Sequence, residues 1–197
     1  MEKFKKAVRN TADFLKAHLT YTAPLVSGFV IVSFIVTVVG VEALALTRGA
    51  FTDPMTYVQL LLHQLIHSES SHFFINAAIL LLVGTTLEER YGMKWTAIMM
   101  TVTTLVSGGL FLLLSRGETV LAGGLGIVFM MVLLSTFSNL LKGKVPVSLL
   151  LFLAIFIWHY FDSGQPGLAF VTQIVGGFFG AIAGYFFNKG KLYPEAG

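Results

Sequence analysis

The 197-residue chain contains no cysteine and few charged residues. The absence of cysteine excludes disulfides, thiolate metal ligands and a cysteine nucleophile. Charged residues make up 12% of the chain and hydrophobic residues 55%, whereas roughly a quarter of the residues of an average soluble domain are charged. A soluble helical domain also interleaves charges with apolar residues at every turn. The composition therefore indicates a membrane protein.

Charge is missing altogether from six long segments, which are 23–41, 73–87, 95–115, 119–141, 145–161 and 167–187. A helix needs about 20 apolar residues to cross the hydrocarbon core of a bilayer. Four segments reach at least 19 residues. The other two, 73–87 and 145–161, need flanking polar side chains or local thinning of the bilayer to span it. The sequence predicts an all-α integral membrane protein with six transmembrane helices in one domain.

Basic residues lie mostly on one side of these predicted spans. Eleven of the thirteen Lys and Arg residues precede the first span or follow the second, fourth and sixth, which leaves Arg48 and Arg116 on the opposite side. The positive-inside rule then places both termini in the cytoplasm. We expect a multi-pass protein of the cell membrane. Because the basic residues lie in short loops rather than in a binding stripe, nucleic acid is not an expected partner.

The same patterns divide the chain into three regions. Residues 1–20 mix apolar residues with lysines, which predicts a cytoplasmic amphipathic segment lying on the inner leaflet. Residues 21–188 form the predicted six-helix membrane domain, and 189–197 form a short cytoplasmic tail. The lipid bilayer is therefore the first expected partner.

Glycines recur at close spacing in two of the predicted spans. Gly123 and Gly126 lie at the start of the fourth span, and Gly176, Gly180 and Gly184 follow one another at four-residue intervals in the sixth. A ridge of small residues lets two helix backbones approach closely inside a membrane. We therefore expect the sixth span to pack against the start of the fourth.

Three histidines, His63, His67 and His72, and Asn76 lie at the end of the long connection 48–71 and at the head of the second span. The rest of the connection is not very polar, and we expect short helices there that lie partly in the bilayer. His72 and Asn76 are four residues apart, so they share one face of a helix. Polar groups at the mouth of an apolar helix are costly unless they face a partner or a cavity, which makes this region a candidate site.

His63 and His67 resemble the histidine pair of a zinc-protease helix, but Gln64 occupies the position where such a helix carries its glutamate base. A glutamine cannot take a proton from water, so we expect no metal and no cofactor. Both histidines are interpreted instead as anchors that hold the long connection by hydrogen bonds. We expect Glu88 and Arg90, in the charged cluster at the other end of the second span, to be loop anchors as well.

Taken together, the motifs resemble those of the rhomboid intramembrane serine proteases. The resemblance starts in the histidine cluster and HxxxN at the head of the second span and continues in the ExRxG-like segment Glu88–Gly92. It includes Gly123–Phe129, which is similar to the GxSGxxF start of the fourth span, and Gln173–Gly180, which is similar to HxxGxxxG. Motifs in this order over roughly residues 57–187 imply a six-helix rhomboid-like bundle.

Two departures from the family pattern bear on activity. The resemblance places the nucleophilic serine at Leu125 and the histidine base at Gln173. A leucine has no nucleophilic atom, and a glutamine amide cannot activate a hydroxyl. His72 and Asn76 match residues to which the resemblance assigns oxyanion stabilisation. The sequence therefore retains the electrophilic half of the site without its nucleophilic half.

We therefore expect a rhomboid-like pseudoprotease that binds transmembrane segments of client membrane proteins without cleaving them. The first alternative is an active intramembrane serine endopeptidase with a rearranged nucleophile. The candidate nucleophiles are the hydroxyls of Ser70, Ser71, Thr119, Ser135 and Ser138. The second alternative is a non-catalytic structural or transport protein. Transport is poorly supported, because the spans carry no charge and no inverted repeat is apparent.

Overall fold

The computed structural model describes residues 23–49, 51–67, 70–116, 119–140 and 167–187, together with positions 147, 149–151 and 154. The described chain is mainly helical. Most of the predicted fifth span, the amphipathic segment 1–20 and the tail 189–197 lie outside the described residues.

The first helix, α1, runs from Pro24 to Val39. Proline fits the first helical turn because its missing N–H would have no partner there. The helix ends at Gly40, whose φ of 71° is the left-handed conformation that commonly terminates a helix.

The long connection that follows contains a short helix, as expected. Helix α2 covers Pro54–Leu62, and the Asp53 side chain caps it by accepting a hydrogen bond from the Met55 N–H at 2.9 Å. A single 3₁₀ turn, His63–Leu65, continues directly from α2.

The second predicted span is a helix with an irregular middle. Helix α3 (Ser70–Ile79) passes through a π-helical turn, Leu80–Gly84, into α4 (Thr85–Tyr91). A Cβ at Gly84 would lie 2.7 Å from Met131 Sδ and 3.0 Å from Val26 Cγ1. The π turn therefore lies where three segments of chain approach one another closely, and π turns are frequent at functional sites.

The remaining helices complete the bundle. Helix α5 covers Met93–Leu114, α6 covers Leu125–Leu140 and α7 covers Leu168–Phe187. Among the described residues, three helices are long and apolar enough to cross a membrane, namely Ser70–Tyr91, Met93–Leu114 and Leu168–Phe186, while α1 and α6 are shorter apolar helices.

Helix α7 packs into the groove between α5 and α6 through its glycines. A Cβ at Gly176 would lie 2.7 Å from the Thr103 carbonyl oxygen of α5, and one at Gly177 would lie 2.5 Å from the Gly126 carbonyl oxygen of α6. Gly180 lies against both helices, at Thr103 and Met130. The contact expected between the sixth and fourth spans is thus accompanied by an equally close one with the third.

Candidate functional site at the start of helix α6

A two-residue strand pair positions the start of α6. Strand β1 (Leu46–Thr47) pairs antiparallel with β2 (Val120–Leu121), with Leu46 opposite Leu121. Directly after β2 the chain turns at Gly123, whose φ of 102° favours glycine. The Gly123 N–H donates to the His63 carbonyl oxygen at 3.1 Å. The loop before α6 is therefore held against the 3₁₀ turn that follows α2.

The first amide groups of α6 are capped by side chains from distant parts of the chain. The Gly124 N–H donates to His67 Nε2 at 3.3 Å, and the Gly126 N–H donates to Gln173 Oε1 at 3.1 Å. Gln173 Nε2 in turn donates to the Ala122 carbonyl oxygen at 3.0 Å. Amides at a helix start have no partner within their own helix. At the start of α6, the N–H groups of Gly124 and Gly126 are both hydrogen-bonded to side chains.

His67 is held in one tautomer by a chain of hydrogen bonds. Its Nε2 accepts from Gly124 N–H and lies 3.1 Å from Asn76 Nδ2, which also donates. Its Nδ1 therefore carries the proton and donates to Ser33 Oγ at 3.3 Å, while the Ser33 hydroxyl donates to the Leu65 carbonyl oxygen. Helices α1, α3 and α6 are thus linked through one neutral imidazole.

His63 belongs to a second buried polar cluster, beside α5. Its Nδ1 lies 3.0 Å from the Leu60 carbonyl oxygen and donates to it, which leaves Nε2 as an acceptor 3.4 Å from Ser107 Oγ. Gln64 Nε2 also donates to Ser107 Oγ at 3.1 Å. The Ser107 hydroxyl is 3.1 Å from the Thr104 carbonyl oxygen, one turn earlier in α5. The cluster joins the long connection to the centre of the bundle.

Burial keeps both anchoring histidines neutral. Desolvation lowers the pKa of His63 from 6.5 to about 4. It also lowers the pKa of His67 to about 4, with a smaller contribution from the nearby His72. In both cases the cause is the cost of burying a charged imidazole. At neutral pH each histidine is therefore a hydrogen-bonding group and carries no charge.

The structure brings Gln173 to the start of α6 next to Leu125, as their matching positions in the family motifs require. Asn76 is also buried at this site. Its amide donates to His67 at 3.1 Å, and His72, with an exposed side chain, lies one turn nearer the start of α3. The oxyanion role of His72 and Asn76 stays a prediction.

Glu88 has a definite structural role at the other end of the bundle. Its carboxylate accepts hydrogen bonds from the N–H groups of Leu25 and Val26, at 2.9 and 2.8 Å, and its side chain is buried. An anionic acceptor at a helix N-terminus is stabilised by the helix dipole as well as by the hydrogen bonds. Arg90, its neighbour in the motif, is half-buried at the end of α4.

Three polar residues of these networks were not among the sequence-based candidates: Ser33, Gln64 as a hydrogen-bonding residue, and Ser107. Each lies in an apolar stretch, where a single serine or glutamine carries no periodic signal. Only the tertiary structure brings Ser107 to His63, 44 positions apart in sequence. Within the described residues, no cluster of three or more His, Asp or Glu side chains is arranged to hold a metal ion.

Two comparisons of the sequence with known proteins identify its family. A family model described as the rhomboid domain matches residues 54–190. The human protein named Rhomboid-related protein 4 is 26% identical over 151 residues, which cover 68% of this chain and 46% of that protein. The chain thus spans less than half the length of this relative. Since the rhomboid model matches more than half of the chain, the resemblance of the motifs is confirmed, and this integral membrane protein belongs to the rhomboid family.

Proposed function

We propose that this protein is a rhomboid-family pseudoprotease that binds transmembrane segments of client membrane proteins and does not cleave them. The observation that carries the proposal is the start of α6, where the family motif places the nucleophile. Leu125 stands at that position, and the amides on either side of it donate to His67 and Gln173. A hydrolytic site needs a nucleophile with a base, and free donors for the developing oxyanion.

Gln173 is part of this argument because both ends of its amide are engaged. Its Oε1 accepts from Gly126 N–H, and its Nε2 donates to the Ala122 carbonyl oxygen. The side chain is 4% exposed. Neither atom can accept a proton from a serine hydroxyl at neutral pH, so the residue stabilises the loop instead of activating a nucleophile.

Client binding is supported by the short helices beside this site. The 16 residues of α1 span about 24 Å at the helical rise, less than the roughly 30 Å of a typical hydrocarbon core. A helix shorter than the bilayer is accommodated by local thinning. A client helix with polar or weakly helix-forming residues would lose less solvation in such a thinned region than in undisturbed bilayer.

The second candidate function is proteolysis by a rearranged nucleophile, and one contact favours it. Ser107 Oγ lies 3.4 Å from His63 Nε2, with His63 oriented by the Leu60 carbonyl. Both side chains are fully buried, however, at 0% exposure. The serine hydroxyl also has a shorter contact to the Thr104 carbonyl than to the imidazole. This arrangement fits a structural polar cluster better than a site that must admit a peptide bond.

Site-specific photo-crosslinking tests the proposal. A photoreactive residue replaces Leu125 in one variant and Leu82 in the control, because Leu82 is 68% exposed on the outer surface of the second span. Each variant is co-expressed with a single-pass client that carries a different tag at each end and glycines within its span. We expect crosslinks at position 125 that retain both tags and exceed those at position 82. Crosslinked clients lacking one tag, or equal capture at both positions, would contradict the proposal.

A further inference from the structure

An apolar groove of about 190 Å³ lies between α1 and α5, and Leu61 of α2 and Ile127 of α6 also line it. Leu25 and Phe29 form one wall, and Ala97, Met100 and Thr101 form the other. An apolar cavity of about 150 Å³ is large enough to hold a benzene molecule. The groove is therefore large enough for a short length of hydrocarbon chain.

The two threonines that line the groove do not make it polar. Thr101 Oγ1 donates to the Ala97 carbonyl oxygen at 2.8 Å, and Thr104 Oγ1 donates to the Met100 carbonyl oxygen at 2.9 Å. Each hydroxyl is thus satisfied by the preceding turn of its own helix. Neither threonine hydroxyl is therefore free to donate to a ligand that needs hydrogen bonds. An apolar chain can lie against both threonines without breaking a hydrogen bond.

Helical spacing places a cation beyond one end of this groove, on the same face of α5. Lys94 precedes Ala97 by three residues and Thr101 by seven, so the three share one face of α5. The Lys94 side chain is exposed. Glu88, a buried acid near the end of α4, accepts two hydrogen bonds from the start of α1, so the dipole of that helix stabilises its charge.

We propose that this groove binds an anionic phospholipid, with an acyl chain between α1 and α5 and the headgroup phosphate at Lys94. The groove supplies apolar area without competing polar groups, and Lys94 supplies the complementary charge. The charge asymmetry of the chain predicts that Lys94 lies on the cytoplasmic side, where anionic lipids are concentrated. This lipid site is independent of whether the protein binds clients.

The test is native mass spectrometry of the full chain in detergent, titrated with dioleoyl phosphatidylglycerol or dioleoyl phosphatidylcholine. One juxtamembrane lysine contributes about 1 kcal/mol of attraction to anionic lipid, which is about a fivefold difference in binding constant. We expect the parent to prefer phosphatidylglycerol by about that factor. Lys94→Gln should abolish the preference, while Arg116→Gln, which removes an exposed charge elsewhere, should retain it.

A second pair of variants tests the groove itself. Thr101→Phe places a ring in the groove from an exposed position, and Thr101→Val removes the hydroxyl while keeping the shape. We expect Thr101→Phe to weaken the binding of both lipids severalfold and Thr101→Val to bind them like the parent. An unchanged lipid preference in Lys94→Gln would overturn the headgroup assignment. Unchanged binding of both lipids in Thr101→Phe would overturn the acyl-chain assignment.

Discussion

Two helices of this protein begin at buried N-termini, and each is capped by side chains from far along the sequence. At α1 the cap is the Glu88 carboxylate, which accepts from two successive amides. At α6 the cap is neutral and divided between His67 and Gln173. The charged cap is stabilised by the helix dipole as well as by its hydrogen bonds. The neutral cap lies where the rhomboid motif places catalytic groups. The comparison indicates that His67 and Gln173 cap α6 much as Glu88 caps α1.

The charged cap is expected to show the largest effect when it is removed. Glu88→Ala leaves two buried amides without an acceptor, and hydrogen bonds to charged groups contribute roughly 1.5–3 kcal/mol each. We expect a loss of about 4 kcal/mol in the free energy of unfolding, measured by denaturant titration in detergent. Glu89→Ala is the matched control because Glu89 is the neighbouring acid and its side chain is exposed. Equal losses in Glu88→Ala and Glu89→Ala would contradict the stabilising role of the Glu88 cap.

At low pH, protonation of His67 should destabilise the protein through the neutral cap of α6. The pKa of His67 is about 4 in the folded protein, below the ordinary value of 6.5 that it has in the unfolded chain. The unfolded state therefore binds more protons between these values, and stability falls as the pH drops from 6.5 to 4. The slope for one histidine is about 1.4 kcal/mol per pH unit, or about 3 kcal/mol over the window.

The measurement is the free energy of unfolding of the parent and of His67→Gln across this pH range. His63 has the same lowered pKa, so the parent should lose stability through both histidines and the variant through one. The matched companion is His63→Gln, which should likewise leave one of the two buried histidines to titrate. Identical pH profiles for the parent and His67→Gln would mean that burial does not lower the pKa of His67.

Gln173→Leu should cost less than the loss of Glu88. It leaves the Gly126 N–H and the Ala122 carbonyl oxygen without their partner, and a buried unsatisfied group costs roughly 1–3 kcal/mol. Because the volume of the side chain is nearly kept, we expect a net loss of about 2 kcal/mol. Gln173→Glu is the informative companion variant, since its carboxyl can still accept from Gly126 but must be protonated to donate to Ala122. Relative to the parent, its stability should therefore rise as the pH falls. A Gln173→Glu profile parallel to that of the parent would contradict the bridging role.

These caps mark the boundary of what the sequence alone could predict. The charge-free segments predicted α1, α3, α5, α6 and α7 because a bilayer imposes a long apolar run on any spanning helix. The position of Gln173 beside the start of α6 followed from the family motif. The contact of Asn76 with His67 did not, because spacing along one helix favoured His72, and only the fold of the long connection brings His67 to α3. Ser33 and Ser107 could not be predicted, since their partners are separated from them by 34 and 44 positions.

The smallest expected effect is from an attempt to rebuild the catalytic groups. In the double variant Leu125→Ser/Gln173→His, the amide of Gly124 and the side chain of Asn76 still donate to His67. These two donors are therefore already engaged, so the new pair lacks part of the electrostatic stabilisation that a hydrolytic site needs. We expect no reaction with a fluorophosphonate probe above that of either single variant. Labelling at position 125 in a folded double variant would show that the site was disarmed but otherwise intact.

The central claim, that no activated serine exists in this rhomboid, is tested most directly by fluorophosphonate labelling of the wild-type chain in native membranes. An active serine hydrolase in the same membranes serves as the positive control. We predict that the chain remains unlabelled, because Ser107 is buried and the position that follows Gly124 is a leucine. Labelling that maps to Ser107 and disappears in both Ser107→Ala and His63→Gln would contradict the claim and identify the protein as a protease with a rearranged nucleophile.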